Sequence, residues 1–217
     1  MKIVFGVLIS CLISLQACQT RQGNKSLEQK VAEAYGIEHF KNIKHLAFTF
    51  RVKKDTAEHS RHWNWDIANQ TVSLTSDKEN ITYRRDTIKS EQMKSVDQKF
   101  INDQYWLLFP FHLIWDKGMS MEYKDKVSSP IRHQESKLLT VQFDKNVGYT
   151  PGDAYDLYVD PNKHLITEWS YRAGGASTPT ITTTWEDIKE FKGLKIAENH
   201  LSADNNFRVW FTDIKVD

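Results

Sequence analysis

Hydrophobic and polar residues alternate along most of the chain, and this period of two is typical of β-strands with one buried face. Residues 46–52 give the clearest case, because leucine, two phenylalanines and valine fall on one side. The same pattern predicts further strands at 63–67, 72–74, 81–85, 139–143, 157–159, 165–171, 181–185, 194–196 and 207–211. We therefore expect roughly nine or ten sequential antiparallel strands, in a sheet that curls into a sandwich or an open barrel.

One helix is predicted ahead of the first strand. Ser26 and Gln29 have the spacing of a capping box, in which each side chain hydrogen-bonds the backbone of the other residue. The apolar residues of 27–35 fall on one helix face, and Gly36 supplies a stop signal. Together, the helix and the strands predict an α+β fold that is mostly antiparallel β.

A second apolar segment, residues 105–115, separates the two groups of strands. Its eleven residues are apolar on every side and too few to cross a membrane, and Pro110 would break or kink a helix running through them. Such a segment is either the buried centre of the domain or the lining of an apolar cavity. The residue pattern alone favours the buried centre.

The N-terminus has the pattern of an export signal. Lys2 precedes an apolar run over 3–15 that is too short to span a bilayer. The order Leu-Gln-Ala-Cys at 15–18 resembles the lipobox of bacterial lipoproteins, which implies removal of residues 1–17 and acylation of Cys18. Residues 18–25 would then form a flexible tether to the membrane. The alternative is an ordinary cleaved secretory signal that happens to contain a cysteine.

Removal of residues 1–17 would leave 200 residues, enough for one domain over 26–217. It would also remove one lysine, so that 28 basic residues balance 28 acidic residues. Basic residues occur only in short pairs and do not form the clustered basic patch that nucleic-acid binding requires. We therefore expect no nucleic-acid partner. Cys11 lies within the signal, so disulfides, cysteine-ligated metals and cysteine nucleophiles are not expected in the mature chain. We expect a monomer.

Motifs for catalysis or cofactor binding are not found. The glycines have neither the spacing of a nucleophile elbow nor that of a phosphate or dinucleotide loop. His59 and His62 would point to opposite faces of a strand, which disfavours a metal site. Asp153, Asp156 and Asp160 suit turn chemistry, although they leave open a weak cation or sugar site or a hydrolase. We expect no cofactor, no metal and no enzyme activity.

Seven tryptophans allow a further alternative, a sheet face that stacks on sugars. Burial is the simpler interpretation where a tryptophan shares a strand face with aliphatic neighbours, as four of them do: Trp63, Trp65, Trp169 and Trp185. Trp210 has the opposite parity to its apolar neighbours, and it is the best candidate for an exposed aromatic residue.

Three segments resemble the lipoprotein-localisation carriers and their lipid-anchored receptors, the LolA/LolB-like superfamily. They are the first aromatic strand at 46–52, the hairpin Leu-Tyr-Val-Asp-Pro-Asn-Lys-His-Leu-Ile at 157–166 and the closing pattern Trp-Glu-Asp-Ile-Lys-Glu-Phe-Lys-Gly-Leu-Lys at 185–195. The resemblance implies a curved, open half-barrel with helices packed over its concave side, enclosing an apolar cavity for acyl chains. It also implies a carrier or receptor and no catalysis.

The hypothesis from the sequence is an envelope lipoprotein that binds acyl chains or another hydrophobic ligand. The resemblance to the lipid-anchored receptors implies the outer membrane. We expect the protein to face the periplasm rather than the cell surface, because no acidic residue follows Cys18 until Glu28. Parity and apolarity alone give the cavity candidates Phe48, Phe50, Trp63, Trp65, Trp106, Phe109, Phe111 and Val141. The alternative is a structural or interaction lipoprotein whose interior is filled by its own side chains.

Overall fold

The computed structural model describes residues 25–88, 90–146 and 151–217. The expected signal sequence, Cys18 and most of the tether lie outside the described residues. The strands are β1 (His45–Lys54), β2 (Ala57–Asp66), β3 (Thr71–Thr75), β4 (Asn80–Arg84), β5 (Met119–Ser128), β6 (Glu135–Phe143), β7 (Ala154–Val159), β8 (Ile166–Arg172), β9 (Ile181–Thr184), β10 (Glu186–Phe191), β11 (Leu194–Leu201) and β12 (Phe207–Val216). The helices are α1 (Leu27–Ala34), α2 (Ile37–Phe40) and α3 (Glu91–Trp115).

The strands form two antiparallel sheets. Seven strands pair in the order β10-β11-β12-β1-β2-β3-β4, and five pair in the order β5-β6-β7-β8-β9. The chain passes from one sheet to the other at Trp185, whose backbone N–H still donates to the Thr167 carbonyl at 2.8 Å. Neither sheet closes on itself. The predicted α+β class with an open, mostly antiparallel half-barrel is therefore confirmed.

Helix α1 joins the two sheets. Gln29 accepts from the Ser26 backbone N–H at 3.1 Å, as the capping-box sequence predicts. At the other end, the Tyr35 hydroxyl accepts from the Ile166 N–H at 3.2 Å, and the Tyr35 carbonyl accepts from the Lys195 N–H at 2.9 Å. These bonds tie the helix to β8 in one sheet and β11 in the other.

Gly36 ends α1 for a steric reason. Its φ is +87°, and a β-carbon built on it would lie 2.0 Å from the Gly193 carbonyl oxygen. Only glycine combines a left-handed backbone with so close an approach. The stop predicted at this position is therefore also a contact between the helix and the β10–β11 turn.

Helix α3 packs inside the curve of the sheets. The Ser90 side chain caps it by accepting from the Met93 N–H at 3.2 Å. Pro110 lies inside the helix, and Leu108 has non-helical angles (φ −121°, ψ 17°), so the expected kink is present. Most residues from 96 to 113 are buried, which places the apolar segment in the core. No helix in the described part of the chain has the length and hydrophobicity that a membrane span needs.

Candidate functional site: a cavity between the sheets

A cavity of about 1100 Å³ lies between the two sheets, with α3 forming one wall. The first sheet contributes residues of β1, β2 and β12, and the second contributes residues of β7, β8 and β9. The turn between β11 and β12 completes the rim. Most of the side chains at the inner end are aromatic, and those at the outer end are polar or charged.

Strand β1 shows how the sequence sets this polarity. Phe50, Val52 and Lys54 fall on one face, because side chains two apart in a strand point the same way. Phe50 is buried, Val52 is half-buried and Lys54 is exposed. The neighbouring strand β12, which pairs with β1, has the same gradient of burial, since Val209 is buried and Phe207, next to the polar β11–β12 turn, is half-buried. The strands therefore run from an apolar interior to a polar mouth.

One face of α3 carries the same gradient. Gln98, Ile101, Asn102 and Tyr105 line the cavity and are spaced at i, i+3, i+4 and i+7, which is one side of a helix. Gln98 and Asn102 are exposed, whereas Ile101 and Tyr105 are buried. Trp106 extends the apolar end of this face. The helix is therefore polar where the cavity opens and aromatic where it ends.

The second sheet supplies a wall of three aromatic residues. Tyr155 and Trp169 are buried, and their rings stack with centroids 5.2 Å apart. Tyr171 lies nearer the mouth and donates from its hydroxyl to Asp153 at 3.0 Å. Burial and this carboxylate raise the pKa of Tyr171 to about 12. Asp153 also accepts from the Gly174 N–H at 2.7 Å, so a backbone group of the loop at the rim hydrogen-bonds its carboxylate.

A buried ion pair anchors Arg61 in the opposite wall. Asp103 is fully buried and accepts from Nε and Nη2 of Arg61 at 2.7 and 2.6 Å. It also accepts from the Trp63 indole at 2.8 Å and from Asn102 at 3.0 Å. Burial lowers the pKa of Arg61, but the hydrogen bonds and charge of Asp103 outweigh it, so the pKa is raised. The guanidinium rests on the Phe50 ring, 4.9 Å from its centroid.

His200 lies behind the inner end of the cavity. It is fully buried and packs against Trp106, a cavity-wall residue, and against Trp185, with ring centroids 5.5 and 4.2 Å apart. Burial among these rings disfavours the charged imidazolium and lowers the pKa of His200 to about 3. The histidine is therefore neutral in the folded protein at ordinary pH.

This lowered pKa predicts a loss of stability in mild acid. The unfolded chain takes up a proton near pH 6.5 and the folded protein does not, so His200 weakens the fold progressively as the pH falls from about 6.5 towards 3. We expect a contribution of roughly 1 to 1.5 kcal/mol per pH unit, measured by denaturant unfolding between pH 7.5 and 4.5. His200→Gln should show a shallower pH dependence. Equal slopes in the two proteins would contradict the assignment.

The predicted cavity residues divide into two groups. Phe50 and Trp106 line the cavity. The other six are buried in the packed core and do not contribute to the cavity wall: Phe48, Trp63, Trp65, Phe109, Phe111 and Val141. Residues that line the cavity and were not among the candidates include Arg61, Ile101, Tyr105, Tyr155, Trp169 and Val209.

The other candidate groups are not assembled into a common site. Asp156 pairs with Arg172 at 3.0 Å, and Asp160 accepts from the backbone of its own turn. Within the described ranges, no cluster of three metal-ligating side chains occurs. The four tryptophans expected to be buried are buried. Trp210 is half-buried, and the Arg208 guanidinium lies 4.7 Å from its ring centroid.

Three solved structures have a similar fold. A LolA superfamily protein from Nitrosomonas europaea has a TM-score of 0.48 and 9% identity, covering 89% of this chain and 94% of that chain. A DUF1329 family protein from Desulfovibrio piger has a TM-score of 0.49 and 8% identity, with the same coverage. A domain described as an outer membrane lipoprotein-sorting protein, from Vibrio parahaemolyticus, has a TM-score of 0.44 and 12% identity, covering 88% and 93%. No protein-family model matches the chain, and no curated protein matches it in sequence.

Proposed function

We propose that this protein binds the acyl chain of an amphiphile in the cavity between its sheets, as a carrier or receptor for lipids or lipoproteins. The observation that carries the proposal is the shared direction of polarity on the walls. On β1 the lining changes from the buried Phe50 inside to the exposed Lys54 at the mouth, and on β12 burial falls in the same direction towards the polar β11–β12 turn. On α3 the exposed Gln98 and Asn102 precede the buried aromatic Tyr105. An amphiphile that enters tail first matches this gradient along its whole length.

The size and surface of the cavity fit such a ligand. Its volume of about 1100 Å³ slightly exceeds the roughly 300–1,000 Å³ typical of small-molecule sites. Each methylene that leaves water contributes roughly 0.8 kcal/mol, so a chain of about ten methylenes gains on the order of 8 kcal/mol before the cost of association. Such binding needs few polar contacts, which agrees with the lack of a catalytic motif in the sequence.

A displacement assay tests the proposal. A fluorescent fatty-acid analogue added to the purified protein should gain intensity as it enters the aromatic interior, and unlabelled myristic acid should reverse the gain. The quenching of nearby tryptophans gives a second signal from the same titration, since Trp106 and Trp169 line the cavity. A saturable, reversible signal supports the proposal. No binding at ligand concentrations up to the solubility limit would contradict it.

We further propose that Cys18 carries the acyl anchor that holds the protein in the cell envelope, with its body in the periplasm. Two or three acyl chains anchor a protein stably, because each chain adds its methylenes to the binding energy. Cys18→Ser should therefore move the protein from the membrane fraction to the soluble fraction or leave the signal uncleaved. Mass spectrometry of the N-terminal peptide should find acyl groups only in the natural sequence. An unmodified Cys18 would refute the anchor without affecting the cavity.

A further inference from the structure

Arg61 has a free hydrogen-bonding edge in the wall of the cavity. An arginine offers five N–H donors and can bind an oxoacid with two parallel hydrogen bonds. Asp103 occupies the edge formed by Nε and Nη2. No described residue accepts from Nη1, so three N–H donors are unbonded, and two of them form the edge between the two terminal nitrogens.

The surroundings hold this edge in place. The ion pair with the buried Asp103 and the ring of Phe50 fix the plane of the guanidinium. Arg61 keeps 23% of its side chain exposed, and it lies on the same wall as Phe50 and Val52. On its other side is a smaller polar cleft of about 410 Å³, where Lys99 and Glu79 already pair with each other at 2.7 Å. Asp103 compensates the charge of Arg61, and Glu79 also raises its pKa, so what Arg61 offers a ligand is its unbonded N–H donors.

We infer that the cavity selects amphiphiles with an anionic oxoacid head, a carboxylate or a phosphate monoester, and that Arg61 binds this head through its two terminal nitrogens. The inference rests on the proposed acyl-chain binding and adds the class of head group. Planar and tetrahedral oxoacids both present two acceptor oxygens at the spacing of the guanidinium fork.

The net charge of the rim is not what makes the selection. Lys54 is accompanied by three acidic residues that also line the cavity, Asp55, Asp153 and Asp204. Two of them are engaged locally, Asp153 with Tyr171 and Gly174, and Asp204 with Ser202 and Asn206. The preference for an anion therefore depends on the directed hydrogen bonds of Arg61.

The test compares ligands that differ only in the head group. Myristic acid and methyl myristate share one chain, and so do a lysophosphatidic acid and the matching monoacylglycerol. Each ligand displaces a neutral fluorescent probe from the purified protein at pH 8. We expect each acid to bind about tenfold or more tightly than its neutral partner. The tighter of the two acids identifies the source of the head group as free fatty acid or phospholipid.

A double substitution identifies Arg61 as the origin of the preference. Arg61→Gln combined with Asp103→Asn replaces the ion pair by two amides that can still hydrogen-bond, so the buried position is not left with an unpaired charge. The variant should bind acid and ester with equal affinity. Arg61→Lys is a second variant, which keeps the charge but loses the fork and should reduce the preference.

The outcomes separate the two proposals. Equal binding of acid and ester by the natural protein, or an undiminished preference in the double variant, would overturn the role of Arg61 and leave acyl-chain binding intact. If the natural protein binds none of the four ligands and also fails to bind the probe, the proposed function itself is wrong.

Discussion

Replacing Asp103 with alanine is expected to lower the free energy of unfolding by about 3 to 5 kcal/mol, the largest loss of stability that we predict for a single substitution. The carboxylate is fully buried and accepts four hydrogen bonds, two of them from Arg61. Its removal would leave the Trp63 indole N–H without an acceptor. It would also leave the partly buried guanidinium of Arg61 without the carboxylate that pairs with it. Denaturant unfolding followed by tryptophan fluorescence measures the loss.

Asp86→Ala is the matched control. Asp86 pairs with Arg84 at 2.6 Å, which equals the shortest contact between Arg61 and Asp103. Unlike Asp103, however, both Asp86 and Arg84 are exposed. Solvent screens exposed pairs, so their removal changes stability little. The same small effect in both variants would show that the buried pair does not stabilise the cavity wall.

Filling the cavity should abolish ligand binding. Val52 lies on the cavity face of β1, half-buried between the inner Phe50 and the rim Lys54. In Val52→Trp a large ring would occupy the path of the acyl chain. We expect affinity for the fluorescent fatty-acid analogue to fall by about a hundredfold or more, equivalent to about 2.7 kcal/mol. The displacement assay measures this directly.

Lys53→Trp controls for the added ring. Lys53 is the next residue of the same strand, is exposed and points to the opposite face. This variant carries the same side chain one position away and should bind the analogue as the natural protein does. Binding that survives in both variants would place the ligand somewhere other than the cavity, and loss in both would indicate a general disturbance of β1.

Much of the fold could be predicted because most strands have one buried face. Hydrophobic alternation at 46–52 and 207–211 reflects a real difference between core and solvent, and both segments are strands. Strand β5 (Met119–Ser128) was not predicted. It lies at the edge of its sheet and is exposed along most of its length, so burial imposes no period of two on its sequence. The polar first half of β2 was missed because it is exposed too, although β2 lies inside its sheet.

The cavity was harder to predict than the fold. The alternation of residues shows which side of a strand faces inwards. It does not show whether an inward side chain packs against another helix or strand or lines a cavity, because apolar residues occur in both places. Phe48 and Phe50 illustrate this, because they share a face of β1 and only Phe50 reaches the cavity. Both rings pack against Phe211, so neither parity nor this shared neighbour separates the two positions.

A stronger signal for the cavity existed in α3 itself. The positions 98, 101, 102 and 105 form one helix face that mixes the exposed Gln98 and Asn102 with buried residues. A core-facing stripe would be apolar throughout, whereas a mixed face indicates a wall that is partly open to solvent. Arg61 had no comparable signal, because its partner Asp103 lies 42 positions away.

The most direct measurement is extraction of the protein after purification without detergent, followed by mass spectrometry of the extracted material. The account predicts acyl compounds in the extract beyond any covalent anchor, present in Lys53→Trp and depleted in Val52→Trp. Extracts without acyl compounds from a protein that also fails to take up added fatty acid would contradict it, and would leave the cavity without the ligand that its walls suggest.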